Sequence, residues 1–268
     1  MASWQYDNET AITEAGPGRC STVLDPAWNI GATPNGGYAC TAALRALTRL
    51  TGQPDPLAVS VYYLRPSQSG EEAEIRTELI RAGRRASTAQ ASTWQAGRER
   101  LRTLATFGQL GSDASAAADP AALSIPPVNL PPPEECHPRD AVEQGIELAI
   151  TSRVDVRIHP ALSVPGKAGR AEVAGWIRFA DHRPVDVLAL VLFADAFPPS
   201  ILGILDQAGW VPTLELTVHV RRRPVPGWIT GRFRTRDLAD GMLVEDGELW
   251  DQSGALVARS RQLALLRR

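Results

Sequence analysis

The chain has little of what most catalytic and metal-binding signatures are built from. Its 268 residues include three cysteines, Cys20, Cys40 and Cys136, and four histidines. Three widely spaced cysteines make neither a disulfide framework nor a paired-cysteine metal knuckle. They fit a reducing compartment, so a cytoplasmic protein is expected. His137, His159, His182 and His219 are scattered and no HExxH occurs, so no metal site is expected. The GxSxG elbow, the P-loop and the strand-linked GxGxxG are also missing, and no cofactor is expected. No apolar run reaches the roughly 18 residues that a membrane helix needs. Met1 to Asp7 has neither the basic start nor the apolar stretch of a secretory signal. The formal net charge is −2, with both signs mixed along the chain. That balance gives no footprint for nucleic acid or for an anionic membrane surface.

What is present is a core-forming composition, 44% hydrophobic and 22% charged, as in a globular protein. One stretch stands apart. Residues 111–139 hold seven of the 21 prolines, and Ile125 to Pro133 can be neither helix interior nor central strand. It reads as an extended connector, giving an N-terminal unit (1–110), a linker (111–150) and a C-terminal unit (151–268).

The two units repeat one order of elements. In the first, a strand ends near Trp28, and the turn Thr33-Pro34-Asn35-Gly36-Gly37 leads into a helical run, Tyr38 to Leu50, closed by Gly52. In the second, Val187 to Asp195 reads as a strand, followed by a helix from Pro198 to Leu205 closed by Gly209. Leu57 to Pro66 then matches Leu214 to Val220 and the Arg223-Pro224 behind it, both alternating at period two. Three strands follow each. The offset is about 160 residues throughout. A strand, a buried helix and an antiparallel meander give an α+β arrangement, with the sheet curled round the helix. Two such sheets can pair edge to edge and remove two exposed edges.

The residues also resemble a known family. Asn35-Gly36-Gly37-Tyr38 opening a helix, then Tyr63-Leu64-Arg65-Pro66, is similar to the first half of the acyl-CoA thioesterase II family. Val154-Asp155-Val156-Arg157, Gly175-Trp176-Ile177-Arg178, Phe193-Ala194-Asp195, Thr213 to Thr217 and Arg259-Ser260-Arg261-Gln262 follow the order of its second half. The resemblance implies a double hotdog, two tandem sheet-around-helix units sharing one continuous sheet. It implies hydrolysis of acyl-CoA or related acyl thioesters, and a homodimer or higher homo-oligomer. It also implies a catalytic Asp–Gln–Thr set, which maps onto Asp195, Gln262 and Thr213. Thr217 is the alternative hydroxyl, because Arg221-Arg222-Arg223-Pro224 is one arginine longer than the family's usual His-Arg-Pro.

This chemistry makes physical sense. A buried carboxylate can take a proton from water, while an amide and a hydroxyl hold that water. The negative charge developing on the carbonyl oxygen can rest on N–H groups at a helix start, and the Gly37 N–H is expected to serve there. The site is expected at the interface between the halves, one per chain, because Asn35 and Ala105 stand in the first half where Asp195 and Gln262 stand in the second. Tyr38, Leu44, Phe197 and Leu202 are expected beside the acyl chain. Taken singly, Asp195 is also a plausible helix N-cap, Gln262 a surface residue and Thr213 an ordinary strand former. Two other readings stay open. A hydratase or dehydratase would use an acid–histidine pair, for which Asp155-x-x-x-His159 is the nearest candidate. A non-catalytic acyl-thioester binder would use the same scaffold.

Overall fold

The computed structural model describes residues 4–111, 123–139, 145–206 and 210–266. The chain starts with a short helix, α1 (Gln5–Glu9), then β1 (Thr13–Gly16), β2 (Arg19–Val23) and a small ladder, β3 (Asn29–Ile30) and β4 (Thr33–Pro34). Helix α2 (Gly36–Thr51) follows, then the meander β5 (Asp55–Tyr63), β6 (Glu72–Arg81), β7 (Ala86–Gln95) and β8 (Arg98–Gly108). After the linker come β9 (His137–Pro138), β10 (Val154–Ile158) and β11 (Glu172–Phe179). Helix α3 (Val187–Phe193) leads to β12 (Thr213–Val220), β13 (Ile229–Ala239), β14 (Met242–Trp250) and β15 (Leu256–Leu265).

Thirteen strands form one sheet in the order β1-β2-β6-β7-β8-β5-β12-β15-β14-β13-β11-β10-β9. The halves meet at β5 and β12, which pair antiparallel from Glu215–Tyr62 to His219–Ala58. The edge-to-edge pairing anticipated above is therefore the seam of the molecule, and the fold is a double hotdog. Ser60 and Thr217 face one another across the seam, and their hydroxyls bond at 2.8 Å.

Helix α2 forms because Ala and Leu fill it and both ends are capped. The Asn35 side chain accepts from the Tyr38 N–H, and Gly52 closes the helix at φ +64°. Leu44 and Leu47 are fully buried beneath the first-half strands.

The second half departs from the sequence expectation. Val187 to Phe193 is the helix, and Ser200–Gly203 is only a 3₁₀ turn. Asp186 caps α3 by accepting from the Ala189 N–H at 2.8 Å. The run is apolar on every side because it is buried on every side, so its periodicity does not separate strand from helix. Pro198 and Pro199 then prevent a longer continuation. Gly209, expected to close the second helix, lies outside the described residues. The two helix caps, Asn35 and Asp186, stand 151 residues apart, whereas the seam residues Ser60 and Thr217 stand 157 apart. The single offset of about 160 residues thus fails at the helices.

The linker residues 123–139 lie along the second half. Trp250 Nε1 donates to the Ile125 carbonyl and Trp176 Nε1 to the Pro131 carbonyl, both at 2.9 Å, and β9 pairs with β10. The N-terminal helix α1 ties the halves together. Arg153 and the indole of Trp28 both donate to Glu9, and Arg45 and Arg183 both reach Asp7.

Candidate active site

Helices α2 and α3 pack together, and the site is built where Gly37 meets the end of α3. A Cβ on Gly37 would fall 2.8 Å from the Leu192 Cα and 2.9 Å from the Val191 carbonyl oxygen. Only glycine allows the start of α2 to lie so close to the last turn of α3. That contact brings Asp195, just past the end of α3, over the first turn of α2.

Asp195 is therefore at a helix end and not, as expected, at the start of the second helix. Its Oδ2 accepts from Asn35 Nδ2 and from the Gly37 N–H, each at 2.9 Å. Asn35 Nδ2 also donates to the Asp195 backbone carbonyl at 2.8 Å. The Gly37 N–H, expected to face a carbonyl oxygen, is thus engaged by the carboxylate. The reason is local: the close contact at Gly37 brings the carboxylate against that partly positive helix end.

Asp195 has a strongly perturbed proton affinity. Burial pushes its pKa up to about 6. The Gly37 N–H opposes that shift, the charge of Glu245 adds to it, and Arg139 and the Gly36 N–H oppose it. A carboxylate titrating near 6 is ionised at neutral pH yet basic enough to receive a proton.

Gln262 on β15 and Thr213 on β12 form the second part. The Thr213 hydroxyl donates to Gln262 Oε1 at 2.9 Å. By simple alternation Thr213 would share a face with Thr217, away from the core. A bulge between Thr213 and Glu215 turns it inward. Thr217 stays on the outer face, bonded to Ser60 and Glu215. Of the two hydroxyls considered, only Thr213 meets Gln262.

Asp195, Gln262 and Thr213 all line one cavity of ≈ 290 Å³ at the junction of the halves. Gly36, Tyr63 and Arg65 come from the first half, and Phe197, Phe233, Leu243 and Leu265 give an apolar wall. Phe197 and Leu202 line it as expected of residues beside an acyl chain. Tyr38 and Leu44 do not, because their side of α2 is packed inside the first half, where Tyr38 stacks on Trp28 at 4.7 Å.

Two further polar residues line the cavity that the sequence reading did not single out. Glu245 on β14 accepts from Gln262 Nε2 at 2.6 Å and from the Ser200 N–H at 2.7 Å. It is 4% exposed, and burial raises its pKa. A signal existed in the sequence: Glu245 falls on the same strand parity as Leu243, Gly247 and Leu249, the inward one. Arg139, next to β9, donates to the Ala196 carbonyl at 2.6 Å, and burial pushes its pKa down to about 10 against the pull of Asp195.

The first half carries no counterpart of the polar cluster. Val59 pairs with Ala105 as Leu216 pairs with Gln262, and Ala89 opposes Ala105 as Glu245 opposes Gln262. Alanines thus fill both symmetric positions. Asp155, weighed for a hydratase, is on β10 and pairs with Arg157 and Arg178, away from the cavity. Among the described residues no group of three or more His, Cys, Asp or Glu side chains could hold a metal ion, and no helix is long and apolar enough to cross a membrane.

Comparison with known proteins agrees with this architecture. Residues 24–108 match the acyl-CoA thioesterase N-terminal domain, and residues 133–266 match the acyl-CoA thioesterase C-terminal domain. An uncharacterized protein of Mycobacterium tuberculosis is 29% identical over 91% of this chain and 89% of its own. A protein of Thermobifida fusca, described as a candidate thioesterase II, superposes with a TM-score of 0.87 at 29% identity, covering 100% of this chain and 99% of that one. The acyl-CoA thioesterase II TesB2 of Mycobacterium marinum gives a TM-score of 0.73 at 19% identity over 98% of both chains. This chain belongs to the acyl-CoA thioesterase family of double-hotdog proteins.

Proposed function

We propose that the chain hydrolyses acyl-CoA, or a related acyl thioester, to the free acid and thiol at the cavity between its halves. The observation that carries this is the pairing of a high-pKa carboxylate, Asp195, with the Gln262–Thr213 pair on the wall of one cavity.

The hydrogen bonds fix who can do what. Thr213 spends its proton on Gln262 Oε1, so its oxygen can only accept. A water held there donates one hydrogen to Thr213 Oγ1 and the other to Asp195, leaving a lone pair for the thioester carbonyl carbon. Gln262 Nε2 gives one hydrogen to Glu245 and keeps a second for the carbonyl oxygen. As the water oxygen attacks, its proton passes to Asp195 and the carbonyl electrons move onto oxygen. Collapse of that intermediate breaks the carbon–sulfur bond, and the proton on Asp195 leaves with the thiolate. No acyl-enzyme forms.

The test is thiol release from acyl-CoAs of several chain lengths by the purified protein and by Asp195→Asn. Release by the wild type, with kcat lowered by about 100-fold or more in the variant, is expected for loss of the base. Tight binding without thiol release would reject hydrolysis. Release at the wild-type rate in the variant would keep hydrolysis and reject this site.

A further inference from the structure

Glu245 takes no part in the proton transfers just described, yet it is one of the most buried carboxylates in the molecule and lines the same cavity as Asp195. A buried carboxylate held by neutral donors needs a reason. Its hydrogen bonds indicate one. Oε1 accepts from Gln262 Nε2 at 2.6 Å, and Oε2 accepts from the Ser200 N–H at 2.7 Å. The Ser200 hydroxyl is itself held by Thr235 at 2.9 Å. Glu245, on β14, is thus clamped between Gln262 on β15 and the turn that follows Asp195.

An amide can be flipped at little cost unless its two ends face different partners. Here they do. Thr213 holds Gln262 Oε1 and Glu245 holds Nε2, so only one amide orientation satisfies both. We propose that Glu245 is a positioning residue for thioester hydrolysis: it locks the Gln262 amide with an N–H directed to the substrate carbonyl. This rests on the hydrolase reading above and adds a second carboxylate to it.

The charge of Glu245 adds to this by favouring the protonated form of Asp195 across the shared cavity. Asp195 is faced by Glu245 from β14, by Arg139 next to β9, by Tyr63 from β5 and by Cys40 and the first-turn N–H groups from α2. Burial holds the Tyr63 hydroxyl and the Cys40 thiol in their neutral forms. Arg139 and the N–H groups favour the ionised form of Asp195, and Glu245 is the only anion of this set that opposes it.

Two substitutions separate the roles. Glu245→Gln removes the charge, and Glu245→Asp keeps the charge but withdraws it by one methylene. In Glu245→Gln, kcat is expected to fall about tenfold or more with KM within about twofold, and the acid limb of the pH–rate profile to move to lower pH by about half a unit or more. In Glu245→Asp, kcat falls while the acid limb stays near its wild-type position. A residue of purely structural importance would lower the amount of folded enzyme or its Tm without moving that limb. Carbon-13 NMR titration of the Asp195 carboxyl gives the same comparison without turnover. If the Asp195 titration moves down in Glu245→Gln but no thiol is released by the wild type, the carboxylate coupling stands and the hydrolase reading falls. If the wild type releases thiol and folded Glu245→Gln keeps both kcat and the Asp195 titration, the role of Glu245 is overturned. Should Glu245→Gln fail to fold, wild-type kcat in Glu245→Asp overturns the positioning role.

Discussion

Asp195 has a cost to the fold that its environment makes visible. Its carboxyl titrates near 6 in the folded protein, above its ordinary value, because burial disfavours the charge. The protonated form is thus favoured by folding. That contribution is fully present below the unfolded-state pKa and is lost as the pH rises through about 6. At pH 8 the ionised carboxylate is a net burden, which asparagine would not carry while still accepting from Gly37. Asp195→Asn is therefore expected to raise Tm at pH 8 and to leave it near wild type at pH 4, as thermal melts at the two pH values would show. An equal Tm change at both would contradict the buried-charge account. Part of this scale was legible through the family resemblance: it points to Asp195, Gln262 and Thr213, and the three line one cavity. Glu245 was harder to see, because a glutamate in a strand reads as a solvated residue until the inward parity of its neighbours is followed.

The elements show where local pattern was sufficient and where it was not. The strands β5, β7 and β12 alternate because one face is packed and the other is not, so their positions could be read directly. Helix α3 could not, because burial on all sides erases the period. The bulge in β12 was equally hidden, since an extra residue in a strand leaves composition unchanged. The contact of α2 with α3 gives a prediction. Gly37→Ala puts a methyl group against backbone atoms of Leu192 and Val191, which cannot swing aside as a flexible side chain would. A loss of about 1–3 kcal/mol in unfolding free energy is expected from such overpacking. Denaturant melts measure it, and thiol release should fall as well, since the Gly37–Asp195 bond would be displaced. A folded Gly37→Ala protein with unchanged stability would show that the helices can separate freely.

At the scale of the molecule, the seam and the N-terminal helix make one body of two repeats. The seam pairs β5 with β12, and Arg223 reaches across it to Asp55 at 2.9 Å. Glu9 receives Arg153 from the second half and Trp28 from the first, with both charged side chains mostly covered. Glu9→Gln should lower stability by about 1.5–3 kcal/mol, the range for hydrogen bonds to charged groups, and leave the apolar core intact. A melt in which the halves unfold at separate temperatures would reveal that α1 is their principal tie; a single transition shifted downward would assign most of the cohesion to the seam.

The long reach of α1 has a consequence for how the protein is made. Asp7 finds Arg183 across 176 residues of chain. At synthesis rates of about 5–20 residues per second, that partner leaves the ribosome roughly 10–35 s after Asp7 does. Between the end of β8 at Gly108 and the start of β12 at Thr213, roughly 5–20 s at the same rates, the first repeat has its β5 edge unpaired, and an unpaired edge is a template for wrong strands. The partner that covers this edge is carried on the same chain, so it arrives late but at an effective concentration set by the linker and not by the amount of protein.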